Sequence, residues 1–217
     1  MTRQSKKAAA NSRAERVAQL QKEAKANERR RASGLWIGLG LVLVLIGGAV
    51  AWAIIHQINN RPDLGATVVY DDPVDPDDNI SRDHVPGAVE YDQTPPVGGD
   101  HNATWLNCGI YDSPVPNEHA VHSLEHGAIW ITYQPDLPQD QVDQLKEIAD
   151  EDYILLSPYE GIDSPIYVTA WGLQLAVDSA DDNRIPAFIT EWKQGPQTPE
   201  PGAACSMGTD LDLVPRG

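Results

Sequence analysis

Apolar residues are distributed along this 217-residue chain in three rhythms. The first is an unbroken run, LWIGLGLVLVLIGGAVAWAII, residues 35–55, twenty-one positions without a charge. At about 1.5 Å rise per residue such a helix is roughly 32 Å long, the thickness of a bilayer core. Trp36 and Trp52 stand near its ends, where indoles favour the headgroup level. The second rhythm is helical. PDLPQDQVDQLKEIAD spaces Val142, Leu145 and Ile148 three apart, and DDNRIPAFITEWKQG sets Ile185, Phe188, Ile189 and Trp192 on one face with Gly195 past its end. The third is short and rich in β-branched and aromatic residues. AIWITYQ reads as one strand, and YILLSPY and PIYVTAWGLQLAV read as two more. Between Arg82 and Glu118 the chain is dense in Pro, Gly, Asp and Asn, which predicts loops and short strands. A loop region this long inside a compact domain is usually functional. HAVHSLEHG, which follows it, reads as a short helix or turn. The order loops, β, α, β, β, α predicts a small α+β domain whose two or three helices cover one face of a short sheet.

Charge sharpens this division. The net charge of −16 is the sum of a basic start and an acidic remainder. Residues 1–31 hold ten Lys/Arg against three Glu, and the rest of the chain holds six Lys/Arg against twenty-nine acids. Arg29, Arg30 and Arg31 directly precede the apolar run, so the positive-inside rule places the N-terminus in the cytoplasm and the acidic part outside. Ala51-Trp52-Ala53 would pass as a signal-peptidase site. However, the basic region and the apolar run are both longer than those of a signal peptide, so an uncleaved anchor is expected. The chain therefore divides into a basic cytoplasmic tail (1–34), a transmembrane helix (35–55), an acidic Pro-rich stalk (56–81) and an extracytoplasmic domain (82–210). Residues 211–217, containing LVPRG, read as the remnant of a thrombin cleavage site. The basic tail favours helix by propensity but has little to bury. Lying against a membrane span, it suits anionic lipid rather than nucleic acid. DDPVDPDD in the stalk lacks the spacing of a calcium loop.

The candidate chemistry is concentrated in EHAVHSLEHG, which holds three of the six histidines. On a helix His119, His122 and His126 would share one face, and the last two, at i and i+4, suit a common metal ion. Further ligands would come from the loops: His101 after PPVGGD, His84 after SRD. Imidazole ligands suit copper or zinc, and Met207 near the C-terminus would favour copper. The bland alternative is that these histidines cap a helix or satisfy buried hydrogen bonds. Cys108 and Cys205 lie in the part expected to be external, where a disulfide, thiolate ligation of a metal, or free thiols are all open. His122-Ser123-Leu124-Glu125-His126 also spells H-x-x-E-H, the pattern of inverted zinc peptidases, in which the glutamate activates a metal-bound water. Such enzymes need a downstream carboxylate ligand. Only Glu147 and Glu191 offer one, and both sit on helices patterned for packing. No nucleophile triad, phosphate loop, CxxC or dinucleotide fingerprint is present, so binding is expected rather than catalysis.

PPVGGDH (95–101), CGIYDSPVP (108–116) and VHSLEHGAIWITY (121–133) resemble a bacterial, mainly actinobacterial family catalogued as domain of unknown function 3105. The likeness runs from about His84 to Trp192. Gly98 stands where the family pattern has Ser. The resemblance implies a single-span, exported domain whose genes lie near those of exported His- and Met-rich proteins linked to copper handling. The motif positions it carries over are His84, His101, Cys108, His122, Glu125 and His126. The expectation is a membrane-anchored metal-binding protein for copper or zinc. His101, His122 and His126 would be ligands, His84, His119 and Cys108 further candidates, and Glu125 would orient an imidazole. The competing expectation is an accessory subunit of a larger respiratory or cell-envelope complex, for which Gly34 and Gly38 supply a GxxxG packing cue.

Overall fold

The computed structural model describes residues 22, 25, 40, 42–56, 62–71, 80–210 and the backbone of 213–214. Most of the basic tail, the start of the apolar run and the acid-proline stretch 72–79 lie outside the described residues. The chain separates into two compact units, 1–61 and 62–217.

In the first unit, residues 42–56 form a helix, α1, whose apolar side chains are exposed, Leu45 at 71 % and Trp52 at 67 % among them. Among the described residues no helix is long and apolar enough to cross a membrane. The expected span extends on its N-terminal side into residues that are not described.

The second unit is an α+β fold built on a seven-stranded mixed sheet. Its elements are β1 (Val68–Val69), β2 (Gly109–Tyr111), α2 (Asn117–Glu125), β3 (Ile129–Tyr133), α3 (Gln139–Ala149), β4 (Ile154–Pro158), β5 (Ile166–Ala170), β6 (Leu173–Val177), α4 (Arg184–Trp192) and β7 (Leu213–Val214). The sheet order is β1-β6-β5-β3-β4-β2-β7. β3 and β2 both run parallel to β4, and α3 makes the crossover that a parallel β3–β4 pair requires. The β5 and β6 strands complete the sheet as antiparallel neighbours.

The helices do not all lie on one face, as the element order had suggested. Ile129, Ile131, Ile154 and Leu156 pack with Val142 and Leu145 of α3 and with Ile185 and Phe188 of α4. Trp130 and Leu155 point the other way and pack with Ala120, Val121 and Leu124 of α2. Strands buried on both faces read as unbroken apolar runs rather than alternation, and IWI and ILL are such runs. PIYVTAWGLQLAV is not one strand but a hairpin, turning at Trp171 and Gly172. Gly172 has φ +69°, and a Cβ there would meet the Asp71 Cβ at 2.5 Å, so glycine is required on both counts. β1 lies in the stretch read as stalk, where Leu64 also packs on the core. Leu213–Val214 of the C-terminal tail pairs antiparallel with β2.

Candidate metal centre

Three pieces of chain build the centre, and each has a local reason for its course. Pro116 precedes α2 with extended backbone, φ −64° and ψ 128°, as an N-terminal stop should. The helix ends at Gly127, which has φ +88° and whose N–H returns to Leu124 O at 2.8 Å. It is this positive φ that calls for glycine at the turn into β3; a Cβ there would also displace the Gln194 amide, 2.4 Å away. Between these stops, the i, i+3 and i+4 positions His122, Glu125 and His126 face the preceding loops and are 3–4 % exposed.

The second piece is a parallel bridge between the loops at His84 and His101. Val85 N–H donates to His101 O at 2.8 Å and His101 N–H donates to Asp83 O at 3.0 Å. This sets the two imidazoles side by side, with ring centroids 4.9 Å apart. Both also lie 4.8 Å from the His122 ring.

The third piece is the C-terminal segment around Cys205. It is tied to the loops by the Cys108–Cys205 disulfide, which spans 97 residues of sequence, and by Cys108 N–H to Cys205 O at 2.7 Å. Trp105, whose indole N–H donates to Ser206 O, lies against His122 and His126, with ring centroids at 5.7 and 5.0 Å.

The protons on the imidazoles can be placed from their partners, since a carbonyl oxygen only accepts. His101 Nδ1–H donates to Gly99 O at 2.8 Å, His122 Nδ1–H to Asn102 O at 2.6 Å, and His126 Nδ1–H to Ala204 O at 2.7 Å. All three rings therefore turn Nε2 inward. His101 Nε2 meets Glu125 Oε2 at 2.9 Å, and His84 Nε2 approaches the same oxygen at 3.8 Å. One ligand atom from each of His84, His101, His122 and Glu125 lies within 4.8 Å of all the others.

Electrostatics follow this geometry. Burial opposes charge on His101, but the hydrogen bonds to Glu125 and Gly99 outweigh it and raise its pKa. Burial likewise works against the Glu125 carboxylate, and the His101 hydrogen bond reverses the balance and lowers its pKa. With His101 Nδ1–H given to Gly99 O, the 2.9 Å contact of Nε2 with Glu125 Oε2 requires a proton between them. His122 goes the other way. Burial, with the neighbouring His126 and His101, overrides the Asn102 carbonyl and lowers its pKa to about 4. At neutral pH His122 keeps a free Nε2 lone pair.

Of the expected ligands, His84, His101 and His122 come together, and Glu125 joins them as a direct neighbour rather than only as an orienting group. His126 lies one step outward, Nε2 to Nε2 with His122 at 3.0 Å. His119 stands outside the convergent group: its Nδ1–H donates to Thr104 O, as the other rings donate to their own carbonyls, but it contributes no atom to the cluster. Cys108 is a correction, because its sulfur is bonded to Cys205 and cannot bind a metal as thiolate. Met207 is 85 % exposed, so its thioether is not held against the buried imidazoles. Glu147 and Glu191 are exposed on α3 and α4, which pack on the sheet face opposite to α2. The sequence reading missed Trp105 and the carbonyls of Gly99, Asn102 and Ala204. A backbone acceptor has no residue-type signature, whereas Trp105, set among the loop residues, could have been noticed.

Three imidazoles and a carboxylate form a donor set suited to a divalent zinc or copper ion. Tetrahedral bonds of about 2.0–2.1 Å place ligand atoms roughly 3.3 Å apart, so small side-chain movements would close this group on an ion. His84, with a side chain 46 % exposed, is the least buried of the four.

The model of the family described as "Protein of unknown function (DUF3105)" matches residues 84–207, which contain every one of these side chains. No curated protein and no solved structure matches the chain.

Proposed function

Since the chain belongs to the DUF3105 family, whose description assigns no activity, we propose from the site itself that the domain binds one divalent transition-metal ion, zinc or copper, through His84, His101, His122 and Glu125. We propose further that the apolar run 35–55 anchors it to a membrane with the domain outside. One observation carries the metal reading. The buried rings of His101 and His122 give their Nδ1 protons to backbone carbonyls and direct Nε2 toward a shared point beside a carboxylate. Metal-ligating histidines are oriented by this kind of hydrogen bond from the second ring nitrogen. A buried structural histidine needs no such convergence. With sulfur absent from the donor set, cuprous copper is disfavoured relative to the divalent ions.

The role is that of a binding protein. His101 and His122 would supply rigid, buried ligands, Glu125 would neutralise part of the ion's charge, and half-exposed His84 would complete the set. Loading replaces the proton on His101 Nε2, so metal uptake releases protons. The test is titration of the chelator-stripped full chain in detergent with Zn²⁺ and with Cu²⁺. One equivalent should bind, and the double variant His101→Ala, His122→Ala should weaken it by at least roughly a hundredfold. Equal affinity in the double variant would refute the reading.

A further inference from the structure

We propose that His126 and Glu200 form a second, outer cation subsite that shares His122 with the inner centre, so that the ion enters and leaves by ligand exchange across His122. The proposal rests on the reading of the inner centre as a metal site and extends it to how the ion gets there.

The geometry begins with two nitrogens. His122 Nε2 and His126 Nε2 are 3.0 Å apart, with the rings edge to face and their centroids separated by 4.6 Å. Each ring has already committed its Nδ1 proton, to Asn102 O and to Ala204 O. In the neutral rings, two lone pairs would therefore face each other at hydrogen-bonding distance with no proton between them. Both residues are 4 % exposed, so water does not dilute that contact. A positive species between them resolves it.

An anion stands on the far side. Glu200 Oε2 is 3.6 Å from His126 Nε2, and its side chain is 56 % exposed. Starting from exposed Glu200, the groups follow in the order His126, His122, then His101 with Glu125, and half-exposed His84 flanks the inner group. A carboxylate at the mouth attracts a cation, and two imidazoles follow in a row.

The segment carrying these groups is fastened. Glu200 N–H donates to Glu125 O at 3.1 Å, and Ala204, which anchors His126, precedes the disulfide-bonded Cys205. Trp105 covers both rings. His122 has one free lone pair, so an ion bound to it belongs to the outer pair or to the inner group at any moment. Transfer is then an exchange of partners around a fixed nitrogen, with no free ion crossing the interior.

A pathway and an ordinary ligand differ in kinetics. The full-length chain in detergent is loaded with Zn²⁺ and unloaded by excess chelator in stopped flow, for wild type, His126→Gln and Glu200→Gln. Glu200 is exposed at the surface, so its variant tests the pathway without disturbing the core. On the pathway reading, association and dissociation slow together by roughly tenfold, a barrier change of about 1.4 kcal/mol, while Kd stays within about twofold. Unchanged rates in both variants would overturn the outer subsite, as would a weaker Kd with faster release, the mark of a plain ligand. Failure of the wild type to take up Zn²⁺ would overturn the inner centre and this proposal with it.

Discussion

His122 and His101 are buried imidazoles a ring's width apart, and their surroundings drive them to opposite charge states. His122 has its pKa lowered to about 4, chiefly by burial, against an ordinary value of 6.5. Between those limits the unfolded chain takes up a proton that the folded chain refuses. The stability this represents is complete above pH 6.5 and is lost as pH falls toward 4, roughly 3 kcal/mol. His101 has its pKa raised, so its contribution is complete below 6.5 and declines as pH rises through the folded value. Glu125, with its pKa lowered, contributes above 4.5 and loses that contribution only as pH falls further. Denaturant unfolding of the metal-free protein should therefore show stability falling from pH 6.5 to 4.5. His122→Gln, whose amide can still donate to the Asn102 carbonyl, should flatten that slope. An unaltered slope in the variant would mean the proton is taken up elsewhere. Much of this was visible in the residues themselves: three of the six histidines, with Glu125, stand out by density and spacing, and His84 and His101 are the loop histidines that precede them. Glu200 did not, since nothing in TPEPG marks a carboxylate that folds back on a helix end.

Among the elements, α2 is the one the sequence delimits best. Pro116 and Gly127 bound it, and His122 and His126 fall on its buried face as helical spacing requires. His119 shows where spacing alone misleads. Three histidines can share a helix face, yet His119 contributes no atom to the convergent group. The β5–β6 hairpin was hidden because apolar residues continue on both sides of Trp171–Gly172, leaving only one glycine as punctuation. For the apolar run, residues 42–56 are helical with exposed apolar side chains, as a lipid-facing segment would have. Proposed as a membrane anchor, it makes a clear prediction. The protein should stay with membranes through alkaline carbonate extraction, and protease added to intact cells should remove an epitope at the C-terminus but spare one at the N-terminus. Release by carbonate, or the reverse protection pattern, would exclude this topology.

At the scale of the whole molecule, the α+β class follows from the order of periodic segments, whereas the arrangement of layers does not. One helix covers the opposite side of the sheet from the other two because β3 and β4 are buried at every position and carry large apolar side chains on both faces. That arrangement creates the centre. α2 is held against one sheet face, the 80–108 loops are laid over its histidines, and the C-terminal segment is drawn back by the disulfide to close the outer side. None of these long-range closures is written in local periodicity, although the even pair of cysteines allowed one of them. The most direct measurement is anomalous X-ray diffraction from zinc-loaded crystals, collected above and below the zinc edge. The expected result is one strong peak about 2.0–2.1 Å from the Nε2 atoms of His84, His101 and His122 and from an oxygen of Glu125. Fully loaded crystals with no peak among these four side chains, or with the ion held elsewhere on the chain, would contradict it.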